Sequence, residues 1–468
     1  MKKLDELVLA NADNLIKVVQ ESVRIPSICS EPTSQHPYGE EIANALDHAL
    51  NVAQSMGFRT TNLNGKVAWA EYGDGEKIVG AMGHLDVVPP GENWSFDPFC
   101  GDIVDNHIRG RGTQDDKGPL FSSLFALKAL ADSHAPLKHR VRIIFGLDEE
   151  SGQMRDVATY LDSEGPLLMG YTPDGEYPVV NAEKGALKFT GYCSFNNLLP
   201  GKIELVSYKG GEGTGSVPAK AKATLSGAKE DLEKASTLLT KEATKNNWPF
   251  SLNWEGPLLS FSVTGKAAHA TLPGLGVNAI GRLCTLLSLL DIAENYRRFF
   301  SFIGENFAFC PDLSTLELAA SHPHTGNITC NLATLEGDRD SASFYVGIYI
   351  PAQTLSFDDV CSKIAAACLD EHIDLDIKTK ISPLYVSPDN RLIKALSRGY
   401  ENATGEKSRL LAMCGSTYSK KMPNMVPFGG TFNGEPDFAH GADERVLIDR
   451  LLRSTCIMAH ALKELAND

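Results

Sequence analysis

The chain has 468 residues, of which 43% are hydrophobic and 22% are charged, the composition of an ordinary globular protein. This length exceeds what one hydrophobic core supports and is enough for two domains. The formal net charge of −15 argues against a nucleic-acid partner, because a phosphate backbone requires a basic surface.

The amino-terminal segment does not have the pattern of a signal peptide, because Asp5 and Glu6 interrupt its apolar residues. Along the chain no apolar run reaches the length of a membrane span, so we expect no membrane anchor. The ten cysteines are scattered and include no Cys-x-x-Cys pair, which favours reduced thiols over a disulfide framework. These features together predict a cytoplasmic protein.

The first part of the chain alternates between helical and strand-like apolar spacing. It is predicted to form helices over 5–22, 38–56 and 119–130, and strands over 67–72, 77–83 and 141–146.

From about residue 184 the pattern changes to alternating strands with fewer helices. Strand, helix and strand follow one another over 219–265 and again over 343–381, which indicates either a duplicated α+β unit or a chance similarity of two common motifs. The last part is again predicted to be helical, over 389–402 and 444–465. We therefore predict a catalytic domain made of 1–183 and 383–468, with 184–382 inserted as a second domain.

His84 and Asp86 follow the buried strand over 77–83, at the end where open α/β sheets place their functional groups. In extended backbone, residues two apart point to the same side, so Asp86 could orient a metal-binding His84. The alternative is a strand-end histidine satisfied by a nearby acid, and these two residues alone do not decide between the readings.

Further acidic pairs and a second histidine stand at other loops that follow strand patterns. Adjacent buried carboxylates repel each other, and a metal cation offsets this repulsion. One acid of a pair can bind the metal while the other acts as a base on a metal-bound water. Each pair alone suits a solvated turn, but their joint occurrence predicts a metal site with nitrogen and oxygen ligands, drawn from Asp115, Asp116, Glu149, Glu150, Asp174 and His440.

At these residues the chain resembles the co-catalytic zinc peptidases that include aminoacylases, carnosinases and carboxypeptidase G. It is most similar to the PepV-type bacterial dipeptidases. The matching motifs run in order through nearly the whole chain, from Gly83-His84-Leu85-Asp86 through Asp115-Asp116-Lys117-Gly118, Asp148-Glu149-Glu150-Ser151-Gly152, Pro173-Asp174-Gly175 and Ala268-His269-Ala270 to the His440 segment.

The resemblance implies a fold and a set of metal ligands. The fold is a mixed sheet between helices, with an inserted lid domain that contains a duplicated ferredoxin-like unit and lets one chain act as a monomer. His84 and Asp174 would bind one zinc ion, Glu150 and His440 the other, and Asp115 would bridge both, with a cis peptide bond following Asp115. Cobalt or manganese could replace zinc.

The resemblance also implies catalytic residues. Glu149 would be the general base on a water that bridges the metals, and Asp86 would orient His84. His269 would come from the lid and stabilise the tetrahedral oxyanion. The implied reaction is hydrolysis of the amide bond of a dipeptide or similar small N-acyl amino compound.

Substrate recognition departs from the family pattern at two lid positions. Gly215 stands where the family has an asparagine, and Tyr349 stands where it has an arginine thought to hold the substrate carboxylate. Because a phenol lacks the bidentate grip of arginine, we expect a weaker hold on a free carboxylate. The family's substrate loop corresponds to Gly415 and Ser416 with Lys420, a lysine in place of arginine.

These departures leave a second hypothesis open, a zinc-binding but catalytically weak relative that acts as a sensor or partner protein. The intact Glu149 argues against it, because a binding protein has little need of a base beside the metal.

Overall fold

The structure, a computed structural model, describes residues 2–195, 201–432 and 434–468. The chain forms two compact units. The first unit comprises residues 1–182 and 384–468, and the second comprises residues 183–383. Assigning catalysis to the first unit and a lid function to the second stays a prediction at this stage.

The described residues contain eleven α-helices. They are α1 (Lys2–Ala10), α2 (Ala12–Val23), α3 (Glu40–Ser55), α4 (Lys117–Asp132), α5 (Arg155–Glu164), α6 (Lys229–Lys245), α7 (Ala279–Ser288), α8 (Glu294–Ile303), α9 (Phe357–Asp370), α10 (Arg391–Thr404) and α11 (Ile448–Asn467).

The described strands number twenty-four. They are β1 (Arg59–Asn62), β2 (Ala68–Tyr72), β3 (Ile78–His84), β4 (Ile103–Val104), β5 (His107–Arg109), β6 (Arg140–Gly146), β7 (Met169–Thr172), β8 (Gly175–Tyr177), β9 (Val179–Glu183), β10 (Gly185–Ser194), β11 (Ile203–Gly210), β12 (Lys220–Gly227), β13 (Phe250–Glu255), β14 (Leu258–Thr264), β15 (Ser321–His322), β16 (Gly326–Asn327), β17 (Thr329–Asp338), β18 (Ser341–Ile350), β19 (Ile373–Ile381), β20 (Leu384–Tyr385), β21 (Leu410–Met413), β22 (Met425–Pro427), β23 (Gly430–Phe432) and β24 (Arg445–Leu447).

The first unit is built around a six-stranded mixed sheet in the order β1-β2-β6-β3-β7-β22. β6, β3, β7 and β22 run parallel, whereas β1 and β2 are antiparallel additions at one edge. Such parallel strands are covered on both faces and therefore read as continuous apolar runs. β3 illustrates this, because every residue after Ile78 is buried.

Helix α4 lies at the centre of the helical packing in this unit, and it is buried on all of its faces along most of its length. It packs against α11, α1 and α2 and against the sheet strand β3. Because His84 pairs in register with Gly146, the carboxyl ends of β3 and β6 lie side by side. The loops that follow these strands therefore start at the same edge of the sheet.

The second unit contains an eight-stranded antiparallel sheet in the order β13-β14-β12-β11-β17-β18-β10-β19. The two halves of the sheet have the same order when each is followed inward from its edge. One half runs β13, β14, β12 and the other runs β19, β10, β18. In each half a helix connects the third of these strands to the edge strand, α6 from β12 to β13 and α9 from β18 to β19. The pairing of β11 with β17 joins the two halves within one chain. This arrangement agrees with the duplication expected from the sequence.

The predicted fold class, an α/β unit with an inserted α+β unit, is confirmed, but one predicted helix is divided in two and one strand was missed. The predicted helix over 5–22 is two helices separated at Asn11, whose side-chain amide donates to the Leu7 carbonyl oxygen at 3.0 Å. The edge strand β13 was not predicted, and its exposed polar residues explain why its apolar signal is weak.

Among the residues described, no helix has both the length and the apolar character needed to cross a membrane.

Candidate metal centre

The carboxyl-terminal edge of the parallel strands in the first unit carries most of the predicted metal ligands. His84 is the last residue of β3, Glu149 and Glu150 follow β6, and Asp174 follows β7. His440 comes from the loop between β23 and β24 and has a positive φ of 59°. Residues from four segments that are distant in sequence therefore meet at one place.

Asp115 joins two groups of side chains, each able to hold a metal ion. The first group is His84, Asp115 and Asp174, and the second is Asp115, Glu150 and His440. Within each group the candidate ligand atoms lie within 4.8 Å of one another.

The two carboxylate oxygens of Asp115 point to different groups. Oδ1 lies 2.9 Å from His84 Nε2, and Oδ2 lies 3.0 Å from His440 Nε2. His440 Nε2 also lies 3.0 Å from Glu150 Oε2. The peptide bond between Asp115 and Asp116 is cis, as the resemblance implied.

The chemistry of this donor set fits a pair of divalent transition-metal ions. Two imidazoles and three carboxylates supply nitrogen and oxygen ligands without a thiolate, a set that suits zinc in an open, catalytic type of site. The carboxylates would also balance the charge of the cations.

Opposing charges in the cluster shift the pKa values of its members. Hydrogen bonds that the His440 ring donates to Asp115 and Glu150 raise the pKa of His440 to about 11. Burial alone would raise the pKa of Asp115, but hydrogen bonds to His440 and His84 outweigh it and hold that pKa below its usual range. Burial raises the pKa of Glu150, and its hydrogen bond to His440 only partly offsets this rise.

Glu149 is 9% exposed and lies beside the ligands without belonging to either group. Burial raises the pKa of Glu149 well above its ordinary value, and the negative charges of Asp174, Glu150 and Asp115 raise it further. A cation at this position would reverse that effect and favour the carboxylate form.

The contact between Asp86 and His84 is made mainly by backbone. His84 Nδ1 lies 2.9 Å from the Asp86 main-chain oxygen, whereas the Asp86 carboxylate Oδ1 is 3.5 Å away. The Asp86 carboxylate accepts the Glu150 backbone N–H at 3.0 Å through Oδ2. Asp86 therefore contacts segments that carry ligands of both groups, and Asp116 accepts the His84 backbone N–H at 3.0 Å.

A residue without a predicted function, Glu444, holds the loop that carries Asp115. Its Oε1 accepts the backbone N–H groups of Gly112 at 3.0 Å and Gln114 at 2.8 Å, and its other oxygen pairs with buried Arg111. Burial raises the pKa of Glu444 to about 7. Arg111 and Glu444 are far apart in the chain, and nothing in their spacing indicates that they form a pair.

A second unpredicted pair, Asp156 and Tyr418, supports the loop that carries Glu149. The Asp156 carboxylate accepts the Leu147 backbone N–H at 2.7 Å and the Tyr418 hydroxyl hydrogen. A Cβ at Gly146 would overlap the Tyr418 hydroxyl, so only glycine fits at the end of β6. The Tyr418 ring also meets the His84 ring edge-on at 6.3 Å between centroids.

The predicted substrate loop lies in the first unit between β21 and β22. Ser416 has a buried hydroxyl oxygen without a hydrogen-bond partner among the described residues. Lys420 ends a short 3-10 helix, and its backbone N–H donates to the Thr417 carbonyl oxygen at 3.0 Å. A Cβ at Gly415 would lie 2.7 Å from the Met413 methyl group.

The remaining predicted residues, His269, Gly215 and Tyr349, belong to the second unit. His269 Nδ1 lies 2.7 Å from the Thr271 hydroxyl oxygen, which fixes the orientation of the ring. Gly215 accepts the Ala270 backbone N–H at 2.9 Å. Tyr349 is 8% exposed and packs against alanines of the same unit.

Comparisons with known proteins show the family and agree with the fold. Residues 80–464 match the peptidase family M20/M25/M40. A protein of Bacillus subtilis named "Putative dipeptidase YtjP" is 33% identical over 465 residues, covering 98% of each chain.

Two solved structures show the same fold. Human carnosine dipeptidase 1 superposes with a TM-score of 0.61 at 14% identity, covering 99% of this chain and 98% of that one. The dipeptidase Dug1p of Saccharomyces cerevisiae superposes with a TM-score of 0.58 at 13% identity, covering 99% and 98%. The family match spans most of the chain and the bacterial relative covers nearly all of it, so the chain is a metallopeptidase that belongs to peptidase family M20/M25/M40.

Proposed function

We propose that this metallopeptidase uses two zinc ions to hydrolyse the amide bond of dipeptides or similar small N-acyl amino compounds. The observation that carries the proposal is the position of the Asp115 carboxylate, whose two oxygens face different donor groups. His84 and Asp174 would complete one zinc site, and Glu150 and His440 the other. Cobalt or manganese would be able to replace zinc, because nitrogen and oxygen ligands also bind these ions.

When bound, the two ions would polarise the amide carbonyl and lower the pKa of a water molecule. Glu149 takes a proton from this water on its carboxylate and passes it to the leaving amine nitrogen. One water is consumed, and a carboxylic acid and an amine are formed. A sensor or partner protein would not need a buried carboxylate such as Glu149 beside its metal ligands.

His269 of the second unit would donate a hydrogen bond to the oxyanion, because the Thr271 hydroxyl holds its Nδ1 and leaves Nε2 for the substrate. In the first unit, the Ser416 hydroxyl, which has no hydrogen-bond partner in the described part of the chain, supports substrate binding by the loop that also carries Gly415. Lys420 and Tyr349 would also contact the substrate. The first unit is then the catalytic domain and the second unit is the lid.

We also propose that the protein acts as a monomer in the cytoplasm. The pairing of β11 with β17 already joins two similar half-sheets within one chain, so the lid needs no second subunit to complete its sheet.

The protein should bind two metal equivalents per chain, because Asp115 offers one oxygen to each donor group. Elemental analysis after refolding with zinc should approach two equivalents, and Asp115→Ala should bind fewer. Asp389→Ala, which removes an exposed acid of the same unit, is the control and should keep both. A reproducible single equivalent that Asp115→Ala leaves unchanged would contradict the bridging function.

Glu149→Gln should keep its metal content and lose turnover, because it removes the base but retains the size of the side chain. The expected loss in kcat is about 10²–10⁴-fold, the usual contribution of a general base. The measurement is turnover of a mixed dipeptide library by zinc-loaded protein, with metal analysis of the same samples. Activity within a few-fold of wild type would exclude Glu149 from this function.

Sedimentation at micromolar concentration should give the mass of one chain, since the doubled sheet is intramolecular. Mixing His269→Ala chains with Glu149→Ala chains should then restore no activity. Recovery of activity on mixing, together with a stable dimer, would instead show that the histidine acts between subunits.

A further inference from the structure

Lys188 is a half-buried lysine in the second unit, on strand β10. Among residues 2–195, 201–432 and 434–468, its ammonium group has no hydrogen bond, ion pair or ring contact. Burial lowers the pKa of Lys188, and no nearby carboxylate counteracts this shift. Removing a charge from water costs free energy unless the charge is paired, so this ammonium group suits an anion that comes from outside the chain.

Lys188 stands in a row of three cross-strand neighbours. It pairs with Gly347 of β18, and Gly347 pairs on its other side with Asn331 of β17. Directly paired residues project from the same face of a sheet. The middle residue has no side chain, so no side chain of this row separates the lysine from the asparagine.

Tyr349 and Asn331 add polar groups to this row. A Cβ built on Gly347 would lie 3.8 Å from the Tyr349 hydroxyl oxygen, so the tyrosine leans over the glycine. Asn331 is 1% exposed and donates its amide N–H to the Ser216 carbonyl oxygen at 3.0 Å. Its own carbonyl oxygen Oδ1 is buried without a partner among the described residues. A buried, unsatisfied acceptor suits a ligand that brings an N–H group.

The same face carries the segment of His269. Ser216, which Asn331 binds, forms an isolated β-bridge with His269. The next residue, Ala270, packs against Ala186 and Tyr349, the pair of residues beside the Lys188 row. The cation, the free acceptor and the proposed oxyanion-binding histidine therefore belong to one continuous surface of the second unit.

We propose that Lys188 binds the free carboxylate of the substrate and thereby selects for substrates that end in an amino acid with an unblocked carboxyl group. Such an amino acid also carries the N–H group that the free oxygen of Asn331 can accept. This inference rests on the proposed function, because it names the substrate class of that reaction.

The proposal revises the expectation drawn from Tyr349 alone. A tyrosine in place of arginine removes a cation at position 349, and the weaker hold on a carboxylate followed from that loss. Lys188 supplies a cation from the neighbouring strand, because its pairing partner Gly347 lies two residues from Tyr349 on the same face. A lysine acts as a point charge, so the preference is for a negative group and not for planar bidentate geometry.

The test compares a panel of dipeptides with the matching dipeptide amides, in wild type, Lys188→Met and Lys188→Arg, all loaded with zinc. Wild type should favour the free dipeptides in kcat/KM. Lys188→Met should lose about 10- to 100-fold on the free dipeptides, mainly through KM, because a hydrogen bond to a charged group is removed. The amides should change by less than about three-fold by the same reasoning. Lys188→Arg should retain the preference, which shows that the site has folded.

The matched control is Lys222→Met, which removes an exposed lysine from β12 of the same sheet and should leave both substrate classes unchanged. Calorimetric binding of the same ligand pairs to zinc-loaded Glu149→Gln gives a readout that needs no turnover. If wild type turns over dipeptides and Lys188→Met does not alter the ratio of kcat/KM between free dipeptides and their amides, the inference is overturned and the proposed function stays intact. A carboxylate-dependent affinity that is lost in Lys188→Met, without turnover in wild type, supports the inference and overturns the proposed function. If wild type shows no turnover and no carboxylate-dependent binding, both the inference and the proposed function are overturned.

Discussion

Repulsion among buried carboxylates is the constraint on which the structure of the first unit depends. Glu149, Glu150 and Asp174 follow parallel strands and meet Asp115 from the loop before α4, and the ionised acids around Glu149 and Glu150 raise the pKa of both. The protein's own cations answer this only in part, through two histidines whose rings contact Asp115. Divalent cations would balance the remaining negative charge, so metal binding and the folded positions of the acids are coupled.

The loops that carry these acids are held in place by two carboxylates that are not themselves proposed metal ligands. Glu444 collects backbone N–H groups from the loop before Asp115, and Asp156 does the same for the loop after β6. In both cases a buried carboxylate substitutes for regular secondary structure by satisfying backbone donors that would otherwise be unpaired. A short irregular segment thereby becomes rigid enough to place a ligand.

Much of the fold and the grouping of the site residues followed from the sequence for a simple reason. Apolar runs mark parallel strands, and residues just after such strands share one edge of the sheet, so His84, Glu150 and Asp174 were expected to meet. The support by Glu444 was not predictable, because its partner Arg111 is distant in the chain and the contact leaves no periodic signal. Lys188 was missed for the same reason: its importance depends on the strand pairing with Gly347, which single-chain patterns do not specify.

The fusion of two half-sheets into one chain has an evolutionary consequence. In a symmetric dimer every substitution appears twice, so a change that improves one copy of a surface must be tolerated by the other. Here β11 and β17 meet within one polypeptide, and the half that carries His269 can keep its sequence while the half that carries Gly347 and Tyr349 diverges. Two half-sheets within one chain therefore offer two surfaces that can specialise independently, so substrate preference can change without any change in the chemistry.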